Sequence, residues 1–164
     1  MYCAETITVA FSGHRTYRGE VAEELRALVG GLYDEGFRRF LCGMAWGFDL
    51  AAGEAIAELK QRCSDVELVA VVPYEGFRGL FHGKDGEQYD RVLAAADEVV
   101  VVSECEPKVA FRMRNDFLVD NASCVVAWFN GVGRGGTAYT VKRARRRGVR
   151  VENLYPSSQL ELGF

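Results

Sequence analysis

The chain has 164 residues, the length of one compact domain that can bury a substantial hydrophobic core. Hydrophobic residues make up 49% of the sequence and charged residues 26%, a globular composition that excludes a disordered or fibrous chain. The formal net charge of −3 excludes an overall positive field for attracting nucleic acid, although a local basic patch is compatible with it.

No apolar run reaches the ~18–20 residues of a membrane span, and the first residues, MYCAETITVAFSG, lack the basic-then-apolar order of an export signal. The sequence has two histidines and an odd number of cysteines, five. The cysteines are widely spaced, with no C-x-x-C pair: Cys3, Cys42, Cys63, Cys105 and Cys124. This usage is typical of reduced thiols rather than of a zinc site. We therefore expect a cytoplasmic protein with no membrane partner and no metal.

Short apolar runs recur along the chain and predict the strands of a sheet. Their boundaries are Ile7–Phe11, Phe40–Cys42, Val66–Val72, Glu98–Val102, Ser123–Phe129 and Val149–Leu154. These runs are continuously apolar instead of alternating, which favours a parallel sheet covered on both faces.

Amphipathic stretches separate the apolar runs and predict helices. The predicted helices are Glu20–Glu35, Asp49–Arg62, Gly86–Ala96, a segment around Met113–Asn121, and Thr137–Arg147. Alternation of strands and helices predicts an α/β fold: a Rossmann-like, doubly wound, mainly parallel sheet of about six strands, with helices on both faces. We expect one such domain over residues 1–164. The stretch Tyr74–Asp85 has no clear period, and it is either a loop over a site or ordinary packing of Phe77 and Phe81.

Three glycine-containing turns follow predicted strands, at the sheet edge where doubly wound folds bind ligands. The turns are Ser12–Arg15, Cys42–Asp49 and Asn130–Thr137. Glycines before a helix let backbone N–H groups approach an anion, and the helix dipole adds to the attraction. The turns therefore predict a cradle for a phosphorylated ligand, although neither a G-x-G-x-x-G after the first strand nor a Walker loop occurs.

Arginines beside these turns can pair with phosphate through bidentate guanidinium geometry. Trp46 or Phe77 would either stack on a base or belong to the core. The residues that we expect to contact the ligand are Gly13, Arg15, Gly43, Gly47, Asp49, Arg112, Arg114, Asn115, Gly135, Gly136 and Thr137.

Each of these features also has a purely structural interpretation. Gly133–Gly136 would be a tight connection with Thr137 as the N-cap of the next helix, and Asp49 would cap its own helix instead of accepting a ribose hydroxyl. The arginines would be ordinary surface residues. The run Lys142–Arg147 ends a helix, where cations complement the dipole, and this favours a solvated face over a nucleic-acid patch.

The segments GHR, CGMAWGFD, RMRNDFLVDNAS and GRGGT, in this order and spacing, resemble the SLOG superfamily of Rossmann-like proteins and, within it, the YpsA-like group of small bacterial proteins. The resemblance runs from Ile7 to Leu154. The superfamily includes DprA, in which a segment similar to Cys42–Asp49 receives single-stranded DNA. The resemblance therefore implies a phosphate-binding pocket here.

The superfamily also includes LOG-type enzymes, which hydrolyse cytokinin nucleotides to free base and ribose phosphate. In the residues that match their motif, Arg114 falls on the LOG arginine, and Ala122–Ser123 and Gly136–Thr137 fall on Ala-Asp and Gly-Thr. Three positions depart from the motif: Val132 replaces the proline, Arg134 replaces a glycine and Thr140 replaces the glutamate. That glutamate is implicated in glycosidic cleavage, and a threonine cannot supply its charge.

These observations leave three functions open. The first is a binding module or sensor for a nucleotide or a nucleotide-derived ligand such as ADP-ribose. The second is a nucleotide N-glycosidic hydrolase of LOG type, with Asp49, Asp120 and Arg114 as candidate catalytic residues and Asp116 as a further carboxylate. The third is a DprA-like binder of single-stranded DNA. No cofactor is required, although magnesium could accompany a polyphosphate, and a homo-oligomer could form through the Tyr74–Phe81 loop.

Overall fold

The computed structural model describes residues 8–104 and 107–157. The strands are β1 (Thr8–Gly13), β2 (Arg39–Cys42), β3 (Glu67–Tyr74), β4 (Glu98–Ser103), β5 (Cys124–Trp128) and β6 (Arg150–Asn153). The helices are α1 (Ala22–Glu35), α2 (Phe48–Arg62), α3 (Gly83–Ala95), α4 (Pro107–Asp120) and α5 (Gly136–Arg146), with a short 3-10 helix at Phe77–Leu80. Each predicted strand and helix overlaps an observed one. None of the helices in these two ranges is long and apolar enough to cross a membrane.

The strands form one parallel sheet in the order β4-β3-β2-β1-β5-β6. The chain builds outward from β1 to β4 on one side and then returns to add β5 and β6 on the other. The direction of building therefore reverses between β1 and β5, and their carboxyl ends flank the crevice in which such folds bind ligands. The predicted α/β, doubly wound fold is confirmed.

Successive side chains along each strand point to opposite faces of the sheet and belong to two separate core layers. On β3, Leu68, Ala70 and Val72 pack in the layer under α1, α2 and α3. Val69 and Val71 point to the opposite face and pack in the layer under α4. Because helices cover both faces, the strands read as continuous apolar runs in the sequence.

The Tyr74–Asp85 stretch is part of the core. Phe77 is fully buried and Phe81 nearly so, and their ring centroids are 5.1 Å apart in an edge-to-face arrangement. Trp46 packs against Phe81 at 5.4 Å, and Phe111 packs against Phe77 at 5.9 Å. The packing interpretation of this stretch is therefore correct, and Phe77 is too deeply buried to stack on a ligand base.

Two glycines allow the turn after β1 to lie against the start of α2. A Cβ atom on Gly13 would lie 2.4 Å from the ring of Phe48, which is fully buried. Gly47 has a φ of +86°, and a Cβ atom there would lie 2.7 Å from the Arg15 carbonyl oxygen. These close approaches fix the distance between two of the predicted ligand turns.

We expect Gly13→Ala to lower the free energy of unfolding by about 1–3 kcal/mol, because the added methyl group overpacks a rigid ring. Gly31→Ala in α1 is the matched control, since a Cβ atom there meets no atom within 4 Å. The control should raise stability by about 0.5–1 kcal/mol through helix propensity. Urea denaturation measures both, and equal effects would contradict the close-approach argument.

Candidate functional site

A cavity of about 540 Å³ opens at the carboxyl ends of β1 and β5, where the strand order reverses. The turn after β1, the start of α2, one face of α4 and the start of α5 form its walls. The predicted ligand residues that line it are Gly13, Arg15, Asp49, Arg114, Asn115, Gly136 and Thr137. The structure thus brings residues from four separate segments to one place.

Four other predicted ligand residues do not line this cavity. Gly43 lies beneath it, because a Cβ atom there would be 2.9 Å from Asp49 Oδ2. Gly47 packs on the backbone of Arg15, and Gly135 directly precedes α5. Arg112 is exposed, and its Nε donates to the Tyr139 hydroxyl at 3.3 Å. Gly43 and Gly47 therefore support the cavity by close packing.

Asp49 is buried in the wall of the cavity, with 4% of its surface exposed. Its carboxylate accepts the N–H of Gly13 at 3.2 Å and the N–H of Ala45 at 3.4 Å. The interpretation of Asp49 as the N-cap of its helix is wrong, because Gly47 occupies that position. Asp49 instead joins the turn after β1 to the turn after β2.

Burial raises the pKa of Asp49 to about 6, because desolvation penalises its ionised form. The charge of Arg114, the two backbone N–H groups and the charge of Arg15 oppose this shift but do not cancel it. An acid with a raised pKa in a cleft is typical of functional sites.

Arg114 places a second buried charge beside Asp49. It is 6% exposed, and it donates from Nη1 to the Gly43 carbonyl oxygen and from Nε to Asn115 Oδ1, the latter at 2.9 Å. Desolvation lowers the pKa of Arg114, and the charge of Asp49 opposes that effect. Its hydrogen-bond acceptors are uncharged oxygens, so the guanidinium keeps positive charge available to an anion in the cavity.

Arg15 is the exposed cation of the cavity. Its guanidinium lies 4.3 Å from the ring centroid of Trp46 and 5.7 Å from that of Phe111. Within the described parts of the chain, it has no carboxylate partner within 4.0 Å. Aromatic rings thus hold Arg15 in place while leaving its N–H donors available to a ligand.

The start of α5 forms another wall of the cavity. Gly135 is the N-cap, and no side chain caps this helix, so the predicted capping role of Thr137 is wrong. Gly136 and Thr137 are the first two residues of α5, and both line the cavity. The first N–H groups of a helix have no partner within the helix, and they favour an anion.

The remaining candidate carboxylates lie outside the cavity, on the seam between α4 and α5. Asp120 pairs with Arg143 at 2.9 Å, and Asp116 accepts the Tyr139 hydroxyl at 2.5 Å. Thr140 is fully buried, and its hydroxyl donates to the Gly136 carbonyl oxygen. Of the three candidate carboxylates, Asp49 is thus the one that lines the cavity.

Several lining residues were not named as ligand contacts from the sequence, although four of them belong to the three predicted turns. They are Ser12, His14, Thr16, Ala45, Phe111 and Asn130. His14 follows β1 and Asn130 follows β5, and the N–H of Asn130 donates to His14 Nε2 at 3.0 Å. Their positions after the two strands at the reversal are the signal that could have identified them. In the described residues, no group of three or more His, Cys, Asp or Glu side chains could hold a metal ion.

We expect Asp49→Asn to gain stability relative to the unchanged protein as the pH rises from about 4 to about 7. The folded state binds the Asp49 proton more tightly than the unfolded state, so the unchanged protein loses stability over this window. The pKa shift from 3.8 to about 6 corresponds to a difference of at most about 3 kcal/mol. Urea titrations at several pH values measure it, and a difference that stays constant with pH would contradict the buried charge.

The sequence is similar to known proteins over most of its length. The family model described as the YspA SLOG family (YpsA) matches residues 8–162. The UPF0398 protein YpsA of Bacillus subtilis is 26% identical over 125 residues, covering 75% of this chain and 68% of that protein. The prophage-derived protein YoqJ of the same organism is 25% identical over 138 residues, covering 76% and 80%. A UPF0398 protein of Bacillus velezensis is 24% identical, and the aligned region spans 64% of its length.

Two solved structures share the fold. DNA processing protein A (DprA) of Streptococcus pneumoniae has a TM-score of 0.66 and 23% identity, with 90% of this chain and 50% of DprA covered. The DprA of Helicobacter pylori, described for its single-stranded DNA binding mode, has a TM-score of 0.63 and 16% identity, with 90% and 65% covered. The family match over residues 8–162 decides the assignment: the chain belongs to the YspA SLOG family.

Proposed function

We propose that this chain binds a nucleotide or a nucleotide-derived molecule, such as ADP-ribose, in the cavity at the β1–β5 reversal. The observation that carries the proposal is the convergence of Arg15, Arg114 and the uncapped start of α5 on one cavity. Two guanidinium groups and a helix N-terminus oppose a single carboxylate, Asp49, so the cavity favours an anion. A volume of about 540 Å³ fits a ligand of nucleotide size.

The chemistry of the walls suggests how such a ligand would lie. The N–H groups of Gly136 and Thr137 and the guanidinium of Arg15 would hold a phosphate. The Asp49 carboxylate can accept a further hydrogen bond, and a sugar hydroxyl is the matching donor. Phe111 offers an aromatic edge of the cavity to a base. No residue in this arrangement demands a metal, and magnesium would enter with a polyphosphate.

A single strand of nucleic acid is the second candidate ligand. It is favoured by the fold shared with the Helicobacter pylori DprA, described for its single-stranded DNA binding mode. The exposed side chains of Arg145 and Arg146 add positive charge to the last turn of α5, at the end away from the cavity. Arg143 and Arg147 of the same basic run form ion pairs with Asp120, so part of the positive charge of this run is already neutralised.

The first experiment is a thermal-shift screen against nucleoside mono-, di- and triphosphates, NAD, ADP-ribose, cyclic dinucleotides and a short single-stranded oligonucleotide. A ligand at about 100 times its Kd should add about 2.7 kcal/mol of stability. Product analysis of the same mixtures separates binding from hydrolysis. Free base that is released by the unchanged protein and lost in Asp49→Asn would establish the hydrolase instead.

We expect Arg15→Ala to weaken binding of the hit from that screen by about tenfold or more, because a charge-assisted hydrogen bond contributes about 1.5–3 kcal/mol. Arg91→Ala is the matched control, since Arg91 is an exposed arginine paired with Glu54 on the α2–α3 surface. Titration calorimetry gives the affinities. The fluorescence of Trp46, on which Arg15 stacks, should change upon binding in the unchanged protein. Equal affinities in Arg15→Ala and Arg91→Ala would place the ligand elsewhere.

A further inference from the structure

The edge strand β4 presents an open apolar surface. Within the described ranges, β4 pairs with β3 on one side, and no strand pairs with its other side. Val99 and Val101 are 50% and 49% exposed, although both belong to a run of four valines. On the other face of the sheet, Val109 and Met113 of α4 are also exposed, and α4 packs against β3 and β4.

Apart from Glu98 at its start, this edge carries few of the features that usually prevent strands from pairing between molecules. Natural edge strands carry a lysine, a proline or a bulge, or lie under another element. The sequence of β4, Glu98–Ser103, has no lysine and no proline, and its register to β3 keeps one constant offset from the pair Val69–Glu98 to the pair Tyr74–Ser103. Within the described residues, no strand pairs with the outer side of Val99–Val101, and an edge with exposed valines can accept a further β-strand.

The pattern of β4 is self-complementary in an antiparallel arrangement. A two-fold axis at Val100 places Val99 of each copy directly opposite Val101 of the other copy, so that two such valine pairs form. The two half-exposed positions then cover each other, as cross-strand valine pairs do in a sheet. Because the two-fold axis uses the same surface of both copies, no second copy of that surface stays open and the assembly closes at two chains.

Charge also favours this arrangement over a parallel one. Glu98, the charged residue of β4, lies at one end of the strand and is paired with Arg39 at 3.3 Å. Antiparallel pairing about Val100 separates the two Glu98 residues by four positions, roughly 14 Å along the strands. Parallel pairing in register would set them side by side, and like charges directly opposite destabilise a sheet.

We propose that two copies of this chain pair through β4 in antiparallel register about Val100, which joins their sheets into one. The occupant of the edge is thus a second copy of the chain. This contact differs from the one expected through the Tyr74–Phe81 loop, in which Phe77 and Phe81 are buried within one chain. This pairing does not depend on the ligand proposed for the cavity.

Sedimentation equilibrium of the full chain and of two paired variants tests the proposal. The unchanged protein should have close to twice the monomer mass of 18.2 kDa at micromolar concentrations. Val99→Lys/Val101→Lys places lysine opposite lysine, so this variant should have the monomer mass. Val99→Lys/Val101→Glu places lysine opposite glutamate, so this variant should dimerise again and dissociate as salt is added.

Leu80→Lys is the matched control, because Leu80 is 47% exposed but lies outside β4 and α4, and this variant should remain a dimer. The thermal unfolding midpoint of each monomeric variant shows whether it is still folded. The monomer mass for the unchanged protein at every concentration would overturn the proposal. A dimer of the lysine–lysine variant, or a monomer of the folded lysine–glutamate variant, would overturn it as well.

Discussion

A single buried carboxylate connects the segments that form the cavity. Asp49 accepts N–H groups from Gly13, at the end of β1, and from Ala45, in the turn before α2. Beneath it lies Gly43, whose carbonyl oxygen accepts a hydrogen bond from Arg114 of α4. A side chain at Gly43 would collide with Asp49 Oδ2, so the glycine, the aspartate and the arginine form one packed unit. The geometry of the cavity depends on this unit.

Burying this unit lowers the free energy of unfolding. Burying an ionised carboxylate and a guanidinium costs desolvation energy, and the raised pKa of Asp49 shows that the nearby charges do not fully compensate it. Replacing a buried ion pair by an apolar pair of similar volume is often neutral or stabilising. Retaining charge in a buried cleft makes sense if a ligand completes the electrostatics. An anion that meets Arg15, Arg114 and the start of α5 would do so for the buried guanidinium of Arg114, whose pKa is lowered by desolvation.

Contacts along the seam between α4 and α5 hold two walls of the cavity together. One wall carries Arg114 on α4, and the other carries the first N–H groups of α5. Asp116 and Asp120 of α4 face Tyr139 and Arg143 of α5, and they form hydrogen bonds and ion pairs at the surface. Exposed ion pairs contribute little energy singly, but this network fixes how α5 lies along α4. Asp120, a candidate catalytic residue in the sequence, therefore lies outside the cavity and takes part in this seam.

The fold could be predicted from the sequence because local patterns determine it: continuous apolar runs gave all the strands, and glycines and helical spacing gave the helices. The start of α4 at Pro107 was placed too late, since its first turn, with Pro107 at the first helical position, has little apolar periodicity. The role of Asp49 could not be predicted, because it depends on an amide 36 positions away. The rule that ligands bind at strand ends located the cavity, but it could not separate Arg114, which lines the cavity, from Arg112, which does not.

The most direct test of the account is a titration of the isotope-labelled protein with the nucleotide that scores highest in the screen, followed through its backbone amide NMR signals. Saturable shifts should concentrate on Gly13, Gly136 and Thr137 and on the Arg15 side-chain Nε, with one common Kd. The amides of Gly31 and of β4, outside the cavity, should not move with that Kd. Saturable shifts confined to another surface, or no saturation at all, would contradict the proposal that this cavity binds a phosphate.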